Sequence, residues 1–180
     1  MKAHVHLALL ALALMLPGGL FGQSLDGPNH IFSDDLLEHL AGKWSLTGDI
    51  AGRKATHSVE AEWVLNHQFL RIHEKDTAAG VPGEHVAYEA IVFVGRDNMS
   101  ERYVAHWLDV FGGRWSETLG YGTRSGDAIE FVFEYPDGPF HTVFLWQPQK
   151  NAWEWEMRSR GTNGEWKQFG RMTLRGEQPR

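Results

Sequence analysis

From Gly42 to Arg175, turn-forming residues interrupt the chain about every 11 to 17 positions. The segments between the breaks are short and rich in Trp, Phe, Tyr, Val and Ile. A chain punctuated this often has no room for long helices. It must bury its apolar surface with short strands, and the rhythm predicts an antiparallel all-β meander closed into a barrel or sandwich. A barrel with a spacious interior is a container, so its lining becomes the place to look for function.

The predicted strands are 43–50, 55–65, 68–76, 85–94, 101–109, 114–122, 128–135, 140–147, 152–159 and 165–174. Turn chemistry separates them. Ala51-Gly52, Asn66-His67, Gly95-Arg96-Asp97-Asn98, Gly112-Gly113 and Ser125-Gly126-Asp127 supply residues that tolerate positive φ. Pro136-Asp137-Gly138 presets a turn through its proline, and Asn163-Gly164 is a hairpin pair. The longest connection is 77–84.

Alternation assigns faces. In 152–159, Trp153, Trp155 and Met157 oppose Glu154, Glu156 and Arg158. In 128–135, Ile129, Phe131, Phe133 and Tyr135 oppose Glu130 and Glu134. In 101–109, Tyr103, Ala105, Trp107 and Asp109 oppose Arg102 and His106. One apolar face per strand is what a small barrel requires. Strand 85–94 is apolar on both faces and needs outside cover from the N-terminal segment or a partner subunit, as in a homodimer. Upstream, Ser33 is the expected N-cap of a short helix whose first turn holds Asp34 and Asp35. Gly42 would end it, and Leu36, Leu37 and Leu40 would close one end of the barrel.

The start of the chain reads differently. Lys2 precedes an apolar run from Leu7 to Leu16, then Pro17-Gly18-Gly19 and a small-residue exit near Gly22. This pattern predicts a secretory signal peptide over 1–22 and a secreted or periplasmic product. The run is too short to span a bilayer. Residues 23–32 read as a flexible leader, and 33–180 as one barrel domain large enough to bury a core. The chain has no Cys, which removes thiolate metal sites and Cys nucleophiles. Its net charge is −6; without 1–22 it holds 16 basic and 23 acidic residues, a net −7. An acidic surface without basic runs argues against nucleic acid.

Gly42-Lys43-Trp44, then Phe93-Val94-Gly95-Arg96-Asp97, then Tyr103-Val104-Ala105-His106-Trp107-Leu108-Asp109 resemble an uncharacterised bacterial family of the lipocalin-like, or calycin, superfamily. The strand number suits its ten-stranded fatty-acid-binding-like branch. The resemblance covers residues 34–175 and implies a barrel that holds a small, largely apolar molecule. The haem-binding barrels of the nitrobindin type are related. Their pattern has closely spaced glycines and a Tyr-Pro after Gly-x-Trp, with a late axial His. Here Ser45-Leu46-Thr47-Gly48 follow Trp44, and no His follows His141. Haem is therefore not expected, nor is any other cofactor.

The chemistry-bearing residues divide along the same lines. Eight Trp residues serve mainly as core, with Trp44 plugging the barrel floor and Trp63 and Trp107 as ligand contacts. His67 and His73 span a turn without any zinc-site spacing, and His-Glu-x-x-His is absent. Glu74, Glu89 and Glu117 are expected to face solvent. Asp109 shares a face with Tyr103 and Trp107 and needs a buried partner such as Arg71, Arg114 or an indole N–H. Nucleophile elbows, phosphate loops and dinucleotide motifs are missing. The expectation is an exported barrel that binds a small apolar or amphipathic molecule through Trp63, Tyr88, Tyr103, Trp107, Asp109 and Tyr121. The alternatives are an isomerase or hydrolase of a hydrophobic substrate in the barrel, and a cell-envelope interaction module.

Overall fold

The computed structural model describes residues 31–77, 87–112, 118–161 and 163–177. The ten strands form one closed antiparallel barrel in which each pairs with its sequence neighbours and β1 pairs with β10. They are β1 (Gly42–Ile50), β2 (Arg53–Val64), β3 (Phe69–Asp76), β4 (Glu89–Asp97), β5 (Arg102–Asp109), β6 (Leu119–Ser125), β7 (Ala128–Tyr135), β8 (Gly138–Gln147), β9 (Ala152–Arg160) and β10 (Trp166–Gly176). The up-and-down order follows from the turns: short connections force neighbours in sequence to be neighbours in space. Closure leaves no free edge. The predicted signal peptide and the 78–84 part of the long connection lie outside the described residues.

One strand limit departs from expectation for a packing reason. β4 runs through Gly95 instead of turning there. A Cβ on Gly95 would stand 2.6 Å from the Phe69 ring, so the glycine makes room for an aromatic laid across it. β6 includes Gly120 and Gly122, which pair with Phe133 and Phe131. Those two rings cover the glycines within 2.5–2.7 Å of a notional Cβ. Because the glycines face inward, Tyr121 between them faces out. Residues 114–117 of the predicted sixth strand are outside the described residues.

The short helix α1 (Asp35–Glu38) caps one end of the barrel, as its leucines require. Its N-cap is Asp34, not Ser33. The Asp34 carboxylate accepts from Leu36 N at 3.1 Å and Leu37 N at 2.8 Å. A carboxylate outcompetes a hydroxyl here because it also answers the positive end of the helix dipole. The helix ends at Glu38, and Gly42 begins β1 instead of terminating α1. Phe32, expected in the loose leader, is buried in the core, and its N–H donates to His67 O at 3.2 Å.

Leu36, Leu37 and Leu40 are each 2% exposed and pack with Trp44, Trp146 and Trp153. The indoles satisfy backbone groups left open where the helix ends. Trp44 Nε1 donates to Leu40 O at 2.8 Å, and Trp153 Nε1 to His39 O at 3.2 Å. His39 stacks on Trp146 with ring centroids 4.8 Å apart. On β5, the Tyr103 hydroxyl donates to the Asp34 carboxylate, and on β6, Arg124 pairs with Asp35 at 2.5 Å. The end plug is thus fixed to opposite walls of the barrel.

On the outer face of β4 the apolar side chains are partly exposed. Ile91 and Phe93 are half-buried, with Ile91 between His73 and Leu108 and Phe93 between Arg71 and His106 in the register.

Candidate functional site

The end opposite the plug holds a cavity of about 500 Å³, within the range of small-molecule sites. Its walls follow from inward alternation. Ala55 and His57 come from β2, Glu74 from β3, Trp107 and Asp109 from β5, and Phe133 and Tyr135 from β7. Phe140 and Thr142 come from β8, and Trp155 and Met157 from β9. Ile50, Arg53, Lys54, Phe111 and Phe169 line it where strands end. Phe169 reaches this position because the β9–β10 register slips between Gln168 and Gly170. The bulge swings its ring against Phe140, edge to face at 5.4 Å.

Glu74, Trp107 and Trp155 border the cavity and also a small void beneath it lined by Leu40, Val92 and Leu174. These three side chains therefore form the floor. His57 Nδ1 stands 2.5 Å from Glu74 Oε1, and both residues are buried. In the register His57 faces Asp76 and Val59 faces Glu74. The two side chains meet on the diagonal between neighbouring strands, a separation long side chains can bridge. Burial raises the Glu74 carboxyl above its ordinary range; the His57 hydrogen bond opposes this, and the nearby Asp109 charge adds to it. One proton can thus reside between the carboxyl and the imidazole.

Tyr88 completes the polar group. Its carbonyl accepts from Asp76 N at 2.8 Å, which fixes it just ahead of β4. Its ring lies over that of His57, centroids 5.6 Å apart. Its hydroxyl accepts from Trp107 Nε1 at 3.2 Å, which leaves the tyrosine proton to donate elsewhere. Burial holds that hydroxyl strongly protonated, and burial likewise pushes Tyr135 up to about 12. Trp155 Nε1 donates to Thr142 Oγ1 at 2.5 Å. Beside this bond, the polar groups near the floor are His57, Glu74 and Tyr88, with Asp109 close enough to act on the last two.

The sequence-chosen residues divide into three places. Tyr88, Trp107 and Asp109 line the cavity. Asp109 does not pair with Arg71 or with an indole: it accepts from Phe111 N at 2.9 Å, while Arg71 pairs with Glu62 on the outer wall. Arg114 and Glu117 lie outside the described residues. Trp63 and Tyr103 face inward but sit at the plugged end, packed on Phe32 at 5.8 and 6.2 Å. They are parts of the plug, not of the cavity. Tyr121 lies on the outer surface beneath the Arg102 guanidinium, 4.1 Å from its ring centre.

Glu89 also faces outward, pairing with His73 at 2.6 Å and Lys75 at 3.2 Å. Glu74 does the reverse of what was expected and is 2% exposed. His57 was not singled out from the sequence. The run Ala55, His57, Val59, Ala61 against Thr56, Ser58, Glu60 carries the signal that would have found it. His67 belongs to the β2–β3 turn, stacked on Trp63 at 3.9 Å and bonded through Nδ1 to Phe32 O at 2.9 Å. Among the described residues, no three His, Asp or Glu side chains are grouped to hold a metal ion.

The fold and the cavity together define a class: a closed ten-stranded meander barrel, plugged at one end and hollow toward the other. No protein-family model matches the chain, and no curated protein matches it.

Proposed function

We propose that this protein binds a small apolar or amphipathic molecule inside its barrel, in the manner of the calycin-like proteins its sequence resembles. The observation that carries the reading is the cavity of about 500 Å³ walled by Trp107, Phe133, Phe140, Trp155, Met157 and Phe169. A cavity of this size lined by aromatic side chains favours an apolar guest by removing its surface from water, at about 25 cal/mol per Å². The proposal that the protein is exported rests on the apolar run Leu7–Leu16.

The test is extraction of natively purified protein with organic solvent, followed by unbiased mass spectrometry. A stoichiometric small molecule, or saturable uptake of a neutral fluorescent apolar probe, is expected. A protein that carries no such molecule and takes up no probe overturns the reading.

A second reading is favoured by one observation, the His57–Glu74 pair beside Tyr88. A carboxyl with a raised pKa, an imidazole and a tyrosine donor form a proton-transfer set of the kind that moves a proton beside a carbonyl. The same barrel would then be an isomerase of an apolar ketone. Deuterium exchange into a bound ketone at carbons next to its carbonyl, lost in Glu74→Gln, is the expected result. Exchange at the solution rate would remove this reading and leave the first intact.

A further inference from the structure

We infer that the cavity selects an uncharged guest bearing one oxygen function, an alcohol or a ketone, held head-inward by His57, Glu74 and Tyr88, and that it discriminates against fatty acids. This rests on the reading of the cavity as a ligand site and specifies its substrate class.

The distribution of charge along the cavity carries the inference. At the floor the polar groups are the 2.5 Å His57–Glu74 pair and the Tyr88 hydroxyl, with the Asp109 carboxylate level with Glu74 across Ala90 and the Thr142 hydroxyl bonded to Trp155. The described acids lining the cavity are Glu74 and Asp109; besides the His57 imidazole, the described basic side chains, Arg53 and Lys54, lie at the β1–β2 turn, away from the floor. Lys54 is already engaged by Asp49 at 3.0 Å. A carboxylate pushed to the floor would be stripped of water beside Glu74 with no lysine or arginine among the lining residues there, and a charge buried without a partner is strongly disfavoured. An ammonium head would have to take Glu74 from His57 or sit against the imidazole.

A neutral oxygen meets neither obstacle. Tyr88 accepts from Trp107 at 3.2 Å, so its own proton can be given to a carbonyl or hydroxyl oxygen. The His57–Glu74 pair can rearrange its shared proton to match a donor or an acceptor. An alkane of equal length would fill the same walls but leave these groups without the extra bond. A net hydrogen bond of ordinary strength corresponds to a preference of roughly five- to tenfold.

The experiment uses the full-length protein and competition against a neutral fluorescent probe, N-phenyl-naphthylamine, by decanol, 2-decanone, decane, decanoate and decylammonium at neutral pH. Decanol and the ketone are expected to displace the probe roughly tenfold better than decane and better still than decanoate or decylammonium. In the double variant H57F/E74L, which replaces the pair by apolar side chains, the alcohol-to-alkane ratio is expected to collapse toward one. Near-ultraviolet circular dichroism checks that the variant is folded, and Glu74→Gln, which keeps a hydrogen-bonding group of the same shape, is a second test with an intermediate ratio.

Equal displacement by decanol and decane overturns the head-inward site but not the ligand site. Displacement by decanoate equal to or better than decanol overturns the inference and points to a head group at Arg53. An alcohol preference unchanged in both variants also overturns it. Failure of the probe to bind removes this inference together with the function proposed above.

Discussion

His57 and Glu74 share a 2.5 Å contact on the cavity floor, each nearly closed to solvent and each supplied by a different strand. A buried pair of this kind contributes less by its own attraction than it costs to break, because the surviving partner is left without a bond in a water-poor site. His57→Phe is therefore expected to destabilise the barrel by about 3 kcal/mol, and Glu74→Leu alone by less. The double replacement H57F/E74L should lose less than the sum of the single changes, a coupling of more than about 1 kcal/mol. Urea unfolding of the four proteins measures this; additive losses would mean the two side chains do not act together.

The raised Glu74 pKa gives stability a pH dependence. The native carboxyl keeps its proton above 4.5, the ordinary value at which the unfolded chain releases it. Its contribution is fully present below that value and is lost as pH rises toward the native pKa. Relative to Glu74→Gln, which does not titrate, the wild-type protein should be more stable at pH 4 than at pH 7. Chemical denaturation of both proteins across that range measures the difference. A difference that grows in the opposite direction would show that Glu74 is held ionised.

One carboxylate of the plug serves both the helix and the wall. Asp34 caps α1 and accepts from Tyr103. Tyr103→Phe is expected to cost about 1 kcal/mol, and Asp34→Ala about 2 kcal/mol because the cap is lost as well. Since Tyr103 stands outside the cavity, Tyr103→Phe should leave probe affinity unchanged. Thermal unfolding and probe titration together check both statements.

Two glycines close to the β1–β2 turn should respond very differently to alanine. A Cβ on Gly48 would fall 2.2 Å from Arg171 O and 2.7 Å from Met172 Cα on β10, where backbone cannot yield cheaply. Gly52, with φ of +77°, has open space around it. Gly48→Ala is expected to cost about 3 kcal/mol and Gly52→Ala about 1 kcal/mol. Equal midpoints in a denaturant titration would contradict the close approach of β1 to β10.

The barrel was legible because its turns are written in residue types with distinct backbone preferences, such as Pro136-Asp137-Gly138 and Asn163-Gly164. Faces were legible too: alternation puts Tyr103, Trp107 and Asp109 inward, and they are. Depth was not. Tyr103 and Trp107 share a face, but Phe32, just ahead of α1, fills the space next to Tyr103, while the space next to Trp107 stays open. Trp63 was misplaced for the same reason. Tyr121 was misassigned because its flanking glycines carry no side chain to reveal that they face inward beneath Phe131 and Phe133. The pairing of His57 with Glu74 depends on the β2–β3 register across 17 positions, which neither strand's pattern contains alone.

The helix plug makes the cavity a cul-de-sac. With Leu36, Leu37 and Leu40 wedged under the indoles of Trp44 and Trp153, a guest has no exit through that end. A guest bound as proposed would have to leave by the end at which it entered. A newcomer cannot push a resident out from behind. Under the proposed function, exchange of one guest for another would be sequential, at a rate set by how quickly the resident leaves, however concentrated the competitor.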